Sequence, residues 1–399
     1  MLVNSSRLQA KMDEEGLDGL VATTLPNVLY FADFYSLALS GFPYDGQCYA
    51  VITRDAPDKP VVVTSTVELD QMLDGHARDA VRFGTFYREG PADGVTLNAD
   101  EEWLRRISME TEMAPGPFDG LLTALNRLGL TGKKIGIDEF GFQAGFFEAL
   151  GEKLPAARLV KVSSMLRWVR KVKTAEEIRR LRASTHITEQ AIQAAASIAR
   201  EGVTEYELAR EFERSIVSQG GRPQFTLIRI GRNAVAGQRV PSRTPLKKGD
   251  TIWFDVGATY KGYWSDIARI YALGDPGERA RKVYAALLEG EEVGMARTRV
   301  GMTGEELFNI TMEATRAAGH PAYRRHHVGH GIGAEVYEPP ILRPGNQDVV
   351  EEGTVVNIET PYYEFGLGAL HVEDPYVVRA DGNHELLTTL SRELHILPV

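Results

Sequence analysis

The chain has 399 residues, 43% of them hydrophobic and 25% charged, which is an ordinary globular composition and excludes collagen-like, coiled-coil and disordered proteins. Its formal net charge of −10 argues against nucleic acid as the main partner, because an acidic protein repels phosphate. The single cysteine, Cys48, excludes an internal disulfide framework and is typical of a cytoplasmic protein.

The N-terminal segment has early charges and no long apolar run, so we expect no signal peptide. No window of about 18 apolar residues occurs anywhere, and we therefore expect no membrane span.

The first part of the chain alternates between helix-like and strand-like segments. Residues 5–15, 119–130 and 143–154 have helical patterns. Apolar or β-branched segments at 18–22, 49–53, 60–64 and 134–138 are typical of strands, and another apolar segment covers 27–31. This alternation predicts an α/β domain with a mixed or parallel sheet. Residues 88–117, rich in proline, glycine and charge, interrupt the alternation and predict a loop or insertion with one short helix.

The sequence changes character near residue 165. A basic segment over 167–173 precedes Thr174 and Glu177, a capping-box pair that predicts a helix over about 174–200. We therefore predict two domains, 1–165 and 166–399. The second has helical patterns near 204–219, 276–297 and 303–318, interleaved with strand pairs, which predicts an α+β domain.

Four carboxylates lie in apolar strands of this second domain. Asp255 and Asp266 flank a turn and are predicted on the two strands of one hairpin, and Glu359 and Glu373 on those of a longer hairpin. A single strand acid is usually exposed or ion-paired. Four that face one interior cannot all ionise without compensation, and two divalent cations would supply it.

Three histidines occur close together in a glycine-rich segment, at positions 326, 327 and 330. The glycines that flank His330 allow close approach of the backbone, which makes His330 a fifth candidate ligand. Oxygen-rich sites with one imidazole suit manganese, cobalt, iron or zinc, and the sequence does not choose among them.

The spacing of these five residues resembles that of the pita-bread metallopeptidase family, which includes prolidases, Xaa-Pro aminopeptidases, methionine aminopeptidases and creatinase. The pattern is Asp255-x10-Asp266, the glycine segment around His330, and Glu359-x13-Glu373. The resemblance covers residues 165–399 and is closest to the prolidase and Xaa-Pro aminopeptidase branch. Residues 1–165 resemble, more weakly, the creatinase-like N-terminal domain of that branch.

The resemblance implies an α/β N-terminal domain followed by an α+β pita-bread catalytic domain. It implies a homodimeric cytoplasmic hydrolase in which a hydroxide bridging two divalent metals, manganese first, cleaves Xaa-Pro amides. Asp266 and Glu373 would bridge the metals, with Asp255 completing one and His330 and Glu359 the other. The implied catalytic residues are Glu359 as general base, His326 as a pocket histidine, and Tyr363.

The chain departs from the peptidase pattern at three positions. Gln238, Tyr337 and His371 stand where peptidase members usually have histidine, histidine and arginine. Alternation along a strand places His371 on the face of Glu373, toward the predicted pocket. The departures leave two alternatives to an Xaa-Pro peptidase open. These are a family member acting on a small amide or an osmolyte, and a non-catalytic binding protein.

Overall fold

The computed structural model describes residues 2–42 and 44–399. The chain divides into two compact units, Met1–Arg170 and Lys171–Val399. The sequence placed the domain boundary at 165/166, inside the helix Ser163–Lys171. Among the described residues, no helix combines the length and apolar character that crossing a bilayer requires.

The first unit contains a mixed seven-stranded sheet, in the order β5-β4-β3-β2-β1-β6-β7. β1 and β3 pair antiparallel with β2, and the remaining pairs are parallel. The strands are β1 (Gly19–Ala22), β2 (Tyr49–Thr53), β3 (Ala56–Ser65), β4 (Asp79–Phe83), β5 (Met113–Ala114), β6 (Lys134–Ile137) and β7 (Arg158–Lys161).

Helices accompany this sheet, as an α/β domain requires. They are α1 (Ser5–Glu15), α2 (Leu25–Ala32), α3 (Leu37–Gly41), α4 (Ala99–Arg105), α5 (Pro117–Arg127), α6 (Phe146–Lys153) and α7 (Ser163–Lys171). The apolar segment 27–31 lies in α2, where Pro26 occupies the first turn and Asp33, with left-handed backbone, ends the helix. The segment 88–117 contains α4 as its short helix, followed by a π-helical turn, Arg106–Glu110, and the edge strand β5.

The second unit is built on a ten-stranded sheet whose main path is β10-β9-β11-β17-β14-β12-β13. β8, β18 and β19 pair with β9, β17 and β11, and β15 and β16 form a separate two-stranded ribbon. The strands are β8 (Arg222–Ile230), β9 (Thr251–Tyr260), β10 (Tyr263–Trp264), β11 (Ile267–Leu273), β12 (Gly329–Gly331), β13 (Glu338–Ile341), β14 (Val355–Glu359), β15 (Tyr362–Glu364), β16 (Gly368–Leu370), β17 (Glu373–Val377), β18 (Glu385–Leu386) and β19 (His395–Leu397).

Four helices pack with this sheet: α8 (Ala175–Ser197), α9 (Glu205–Ser218), α10 (Glu278–Arg297) and α11 (Gly304–Ala317). α8 and α9 share a buried apolar core with β8, β9 and β11, and α10 and α11 share a second core with β14. A capping box begins α8 at Thr174, as the sequence predicts, and another begins α11 at Thr303. The α+β architecture positions both predicted hairpins at the centre of the sheet.

Candidate metal centre

The four carboxylates meet where β9, β11, β17 and β14 lie side by side. Asp255 pairs with Ala268, Ala268 with Glu373, and Glu373 with Glu359, so one row of positions crosses the four strands. Asp266 precedes Ala268 by two residues and therefore lies on the same face of the sheet. The two hairpins that the sequence predicts thus bring all four acids together.

His330 reaches the same place from β12, which pairs with β14. The preceding Gly329 has φ of 142°, and a Cβ there would lie 2.2 Å from the carbonyl oxygen of Asn357, so only glycine fits beside β14. The His330 Nδ1–H donates to the carbonyl oxygen of Gly331 at 3.0 Å. That bond leaves the Nε2 lone pair facing the carboxylates, 3.6 Å from Oδ2 of Asp266.

Several buried atoms at this centre have no hydrogen-bond partner among the described residues. They include Asp266 Oδ1, His330 Nε2, and Nδ1 and Nε2 of His371. Buried polar atoms are normally satisfied, so several unpartnered atoms among these acids and imidazoles fit a bound cation. Two groups of residues could each hold a metal ion, Asp255–His371–Glu373 and Asp266–His330–Glu373, and within each group the ligand atoms lie within 4.8 Å of one another. The cluster is therefore compatible with divalent metal binding.

The electrostatics of the four acids also favour a cation. Burial, followed by repulsion from the other carboxylates, raises the pKa of Asp255 and Glu373 well above the ordinary values. Burial likewise raises the pKa of Asp266, although His330 opposes the shift. Burial opposes ionisation of Glu359 too, but the imidazoles of His327 and His371 outweigh it and hold its pKa well below the usual range. Without a cation, the four acids cannot all be ionised together.

The structure places His326 and His327 differently. His326 is exposed, and its ring meets that of His327 edge-on at 4.3 Å between centroids. It is His327, which the sequence pattern did not single out, whose Nδ1 lies 2.9 Å from Oε1 of Glu359. The catalytic role expected for His326 stays a prediction, and His327 is the histidine of this pair in contact with the carboxylate cluster.

The aromatic candidates surround the cluster. The ring of Tyr337 stacks on that of His330, with 3.7 Å between centroids and an interplanar angle of 17°. Tyr363 meets Trp253 edge-on at 6.0 Å between ring centroids, and Trp253 in turn stacks near-parallel with His371. Gln238 is exposed and follows Gly237, whose position is in close contact with Trp253 and Tyr363. Tyr337 therefore contacts a candidate ligand directly, whereas Gln238 lies next to the residue that packs against Trp253 and Tyr363.

Arg325 is a cationic group at the cluster that the sequence pattern did not indicate. Its guanidinium carbon lies 5.8 Å from the ring centroid of Tyr363, and its Nε is buried without a hydrogen-bond partner among the described residues. Its positive charge opposes the rise in the pKa of Asp255. No ion pair joins Arg325 to an acid in the described part of the chain, which leaves its charge available to an anion.

Comparison with known proteins identifies the family. Residues 179–380 match the model of metallopeptidase family M24, and residues 5–172 match that of the Creatinase/Prolidase N-terminal domain. The chain belongs to metallopeptidase family M24. The resemblance inferred from the five spaced residues is confirmed, as is the predicted fold class, and M24 membership makes the chain a hydrolase.

Relatives within M24 match along most of this chain. An Xaa-Pro dipeptidase of Pyrococcus furiosus is 32% identical over 312 residues, which is 75% of this chain and 88% of that protein. The structure of an Xaa-Pro dipeptidase from Bacillus anthracis superposes with a TM-score of 0.77 at 26% identity, covering 98% of this chain and 99% of the other. An X-Pro aminopeptidase from Thermotoga maritima shares the fold, with a TM-score of 0.77, 23% identity and 99% of each chain covered.

Proposed function

We propose that this M24 hydrolase cleaves the amide bond before proline in short peptides, as an Xaa-Pro dipeptidase or aminopeptidase with two divalent metal ions. The observation that carries the proposal is the row of buried and half-buried carboxylates joined by His330, in a chain whose relatives include Xaa-Pro dipeptidases. Manganese is the first choice of metal, because carboxylate oxygens predominate among the donors.

The proposed ligands are Asp255, Asp266, His330, Glu359 and Glu373. The partnerless buried atoms of this set support the assignment, since each would be satisfied by a cation. When bound, two divalent cations supply positive charge that polarises the substrate carbonyl and lowers the pKa of the attacking water. Glu373 belongs to both sets of possible ligand atoms and would be the ligand that the two ions share.

Glu359 is the proposed general base. Its carboxylate is buried in the cluster, and a positioned carboxylate can accept a proton from a neighbouring water. We assign it the transfer of a proton from the attacking water to the departing proline nitrogen. His327, 2.9 Å from Oε1 of Glu359, can hold that carboxylate in place during the transfer. Tyr363, in the ribbon strand β15 that follows β14, would line the substrate pocket.

Arg325 is the proposed anchor for the free carboxylate of a dipeptide. Its guanidinium has no acidic partner among the described residues and lies beside Tyr363, and a planar guanidinium pairs a carboxylate with two hydrogen bonds. His371 is less suited to this task, because Glu359 and Glu373 each place an oxygen 3.4 Å from its Nε2 and would repel a substrate carboxylate. Tyr337 and Gln238 would contribute hydrogen bonds at the entrance of the substrate pocket.

A substrate panel assayed with added Mn²⁺ tests the proposal. It contains Xaa-Pro dipeptides, their C-terminal amides, longer Xaa-Pro peptides, matched Xaa-Ala peptides and small amides. Cleavage confined to bonds before proline would support the proposal, and a preference for dipeptides over longer peptides would select a dipeptidase. Cleavage of small amides or an osmolyte without cleavage of any Xaa-Pro peptide would favour the second candidate, which the departures at Gln238, Tyr337 and His371 motivate.

We further propose that the protein is a homodimer of the cytoplasm. The dimer rests on the resemblance to the prolidase branch, and the cytoplasm on the single cysteine, Cys48, which is buried. Sedimentation equilibrium at working concentration tests the first statement, and a stable monomer would contradict it. Fractionation of the source cells tests the second.

A further inference from the structure

His371 lies among the metal-binding acids and not at the periphery of the pocket. Its side chain is 2% exposed. Its Nδ1 is 3.8 Å from Oδ2 of Asp255, and its Nε2 is 3.4 Å from Oε2 of Glu359 and from Oε2 of Glu373. Neither ring nitrogen has a hydrogen-bond partner among the described residues. Buried polar atoms are normally satisfied, and an ion between Nε2 and the two glutamates would give that nitrogen a partner.

The distances suit shared coordination better than direct hydrogen bonding. Metal–ligand bonds to nitrogen and oxygen are about 2.0–2.2 Å, so two ligand atoms of one ion that subtend about 90–110° at the metal lie about 2.8–3.6 Å apart. Hydrogen bonds between a ring nitrogen and a charged oxygen are shorter, about 2.7–2.9 Å. The 3.4 Å separations from Nε2 to the oxygens of Glu359 and Glu373 match the first arrangement.

The two sets of possible ligand atoms have the same composition. One holds Asp255, His371 and Glu373, and the other holds Asp266, His330 and Glu373. Each consists of one aspartate, one imidazole and the common glutamate, and the two aspartates belong to one hairpin. The five-residue family pattern accounts for only one of the two imidazoles.

Arginine, the residue usual at position 371 in peptidase members, could not serve as a metal ligand. Arginine stays protonated and has only donors, so it adds a positive charge and no lone pair. A neutral imidazole adds a lone pair and no charge. A neutral histidine leaves the summed charge of the acids and the two cations unchanged, whereas an arginine adds one positive charge. Trp253, stacked on the His371 ring at 6.3 Å between centroids, packs against one face of the ring.

We infer that His371 is a sixth metal ligand, which gives each of the two ions an aspartate and an imidazole and leaves Glu373 common to both. This inference rests on the two-metal site of the proposed function. A nitrogen donor at both positions raises the affinity for later divalent metals such as cobalt and zinc relative to manganese. The chain would therefore hold its ions differently from an enzyme with the five-ligand pattern.

X-ray absorption at the cobalt edge of the fully loaded protein counts the imidazoles bound to the metals and needs no substrate. The inference predicts an average of one imidazole per ion in the wild type, and half that number in His371→Arg and His371→Gln. Competition with a chelator should show that one of the two ions binds more than about 100-fold more weakly in both variants, beyond the about 10–100-fold that loss of an outer-shell partner costs. His186→Ala, which removes an exposed histidine of the same unit, should leave count and affinity unchanged.

An average of half an imidazole per ion in the wild type would overturn the inference, whether or not the variants fold. Variants that fold and bind both ions with wild-type affinity would overturn it as well. The outcome is separable from the proposed activity. Half an imidazole per ion together with Xaa-Pro cleavage would contradict His371 as a ligand and still support the proposed peptidase activity. One imidazole per ion without any cleavage would support His371 as a ligand and contradict Xaa-Pro peptides as the substrate.

Discussion

Nδ1 of His327 lies 2.9 Å from Oε1 of Glu359, whereas the adjacent His326 is exposed. Because the proposed base depends on the position of Glu359, we expect His327→Ala to lower kcat by about 10²-fold with little change in KM. His326→Ala is the matched comparison and should leave kcat close to the wild-type value, because this side chain is exposed. Steady-state kinetics on an Ala-Pro substrate measure both. A larger loss in His326→Ala would support the original assignment of His326.

Removal of the basicity of Glu359 should stop turnover with the fold intact. Glu359→Gln keeps the shape of the side chain, and loss of a general base costs about 10²–10⁴-fold in rate. The control is Glu364→Gln, which removes a partly exposed carboxylate that pairs with Arg279. Kinetics and elemental analysis of the same samples are compared. Near-normal turnover in Glu359→Gln with metal bound would place the base elsewhere.

Chelation should lower both activity and stability. Metal that binds only the folded chain stabilises it by about 4 kcal/mol when its concentration is a thousand times the Kd. Without it, the buried acids must be protonated or repel one another, as the raised pKa of Asp255 and of Glu373 indicates. We expect a lower Tm and no peptide cleavage after exhaustive chelation, both restored by Mn²⁺. Full activity in protein that elemental analysis shows to be metal-free would refute the metal mechanism.

Arg325→Gln tests how the substrate carboxylate is bound. The ratio of kcat/KM for Ala-Pro to that for its C-terminal amide should fall by at least about 10-fold, because a charge-assisted hydrogen bond contributes about 1.5–3 kcal/mol. Arg324→Gln removes an exposed neighbour and should leave the ratio unchanged. His371→Arg should not raise the ratio. A ratio that Arg325→Gln leaves at the wild-type value would show that the carboxylate is bound elsewhere.

Glu177 should make stability depend on pH away from the metal centre. Burial raises the pKa of Glu177 to about 7. Its carboxylate accepts hydrogen bonds from the Tyr263 hydroxyl and the Thr174 backbone N–H. The folded state therefore binds more protons than the unfolded state. The resulting stability is full below about pH 4.5 and is lost as pH rises through about 7.

The size of this change in stability follows from the linkage between proton binding and folding. The contribution of Glu177 to the free energy of unfolding should decrease by about 2 kcal/mol between pH 5.5 and 8. Glu177→Gln cannot titrate, so the wild type should lose more stability than the variant over this range. Urea unfolding of both proteins at the two pH values gives the difference, and titrating groups common to both proteins cancel. Parallel losses in the two proteins would contradict the assignment.

The two hairpins were predictable because their signals are local. Turn residues separate the strands, and Gly262, with φ of 79°, occupies the turn between the first pair. Alternation then fixes which side chains of a strand share a face, so the sequence pattern alone places His371 on the side of Glu373. The secondary structure of the apolar segment 27–31 could not be predicted in this way, because a short buried apolar run is equally compatible with a helix and a strand.

The residues that sequence reasoning missed lie where no periodicity applies. His326 and His327 are adjacent in an irregular segment before β12, so their spacing does not indicate which of them faces Glu359. Arg325 belongs to the same segment, and only the fold brings it beside Tyr363. The contact of His371 with acids from both hairpins likewise depends on how β17 pairs with β11 and β14, which is a long-range relationship.

Hydrolysis of Ala-Pro by the Mn²⁺-loaded protein tests the central claim most directly. We predict release of free proline that ceases on chelation, returns with Mn²⁺ and is absent for the matched Ala-Ala dipeptide. The metal content of the same sample, measured by elemental analysis, shows whether the site is loaded. If protein with two bound metals per chain cleaves no Xaa-Pro peptide at any pH at which it stays folded, the proposed function is wrong.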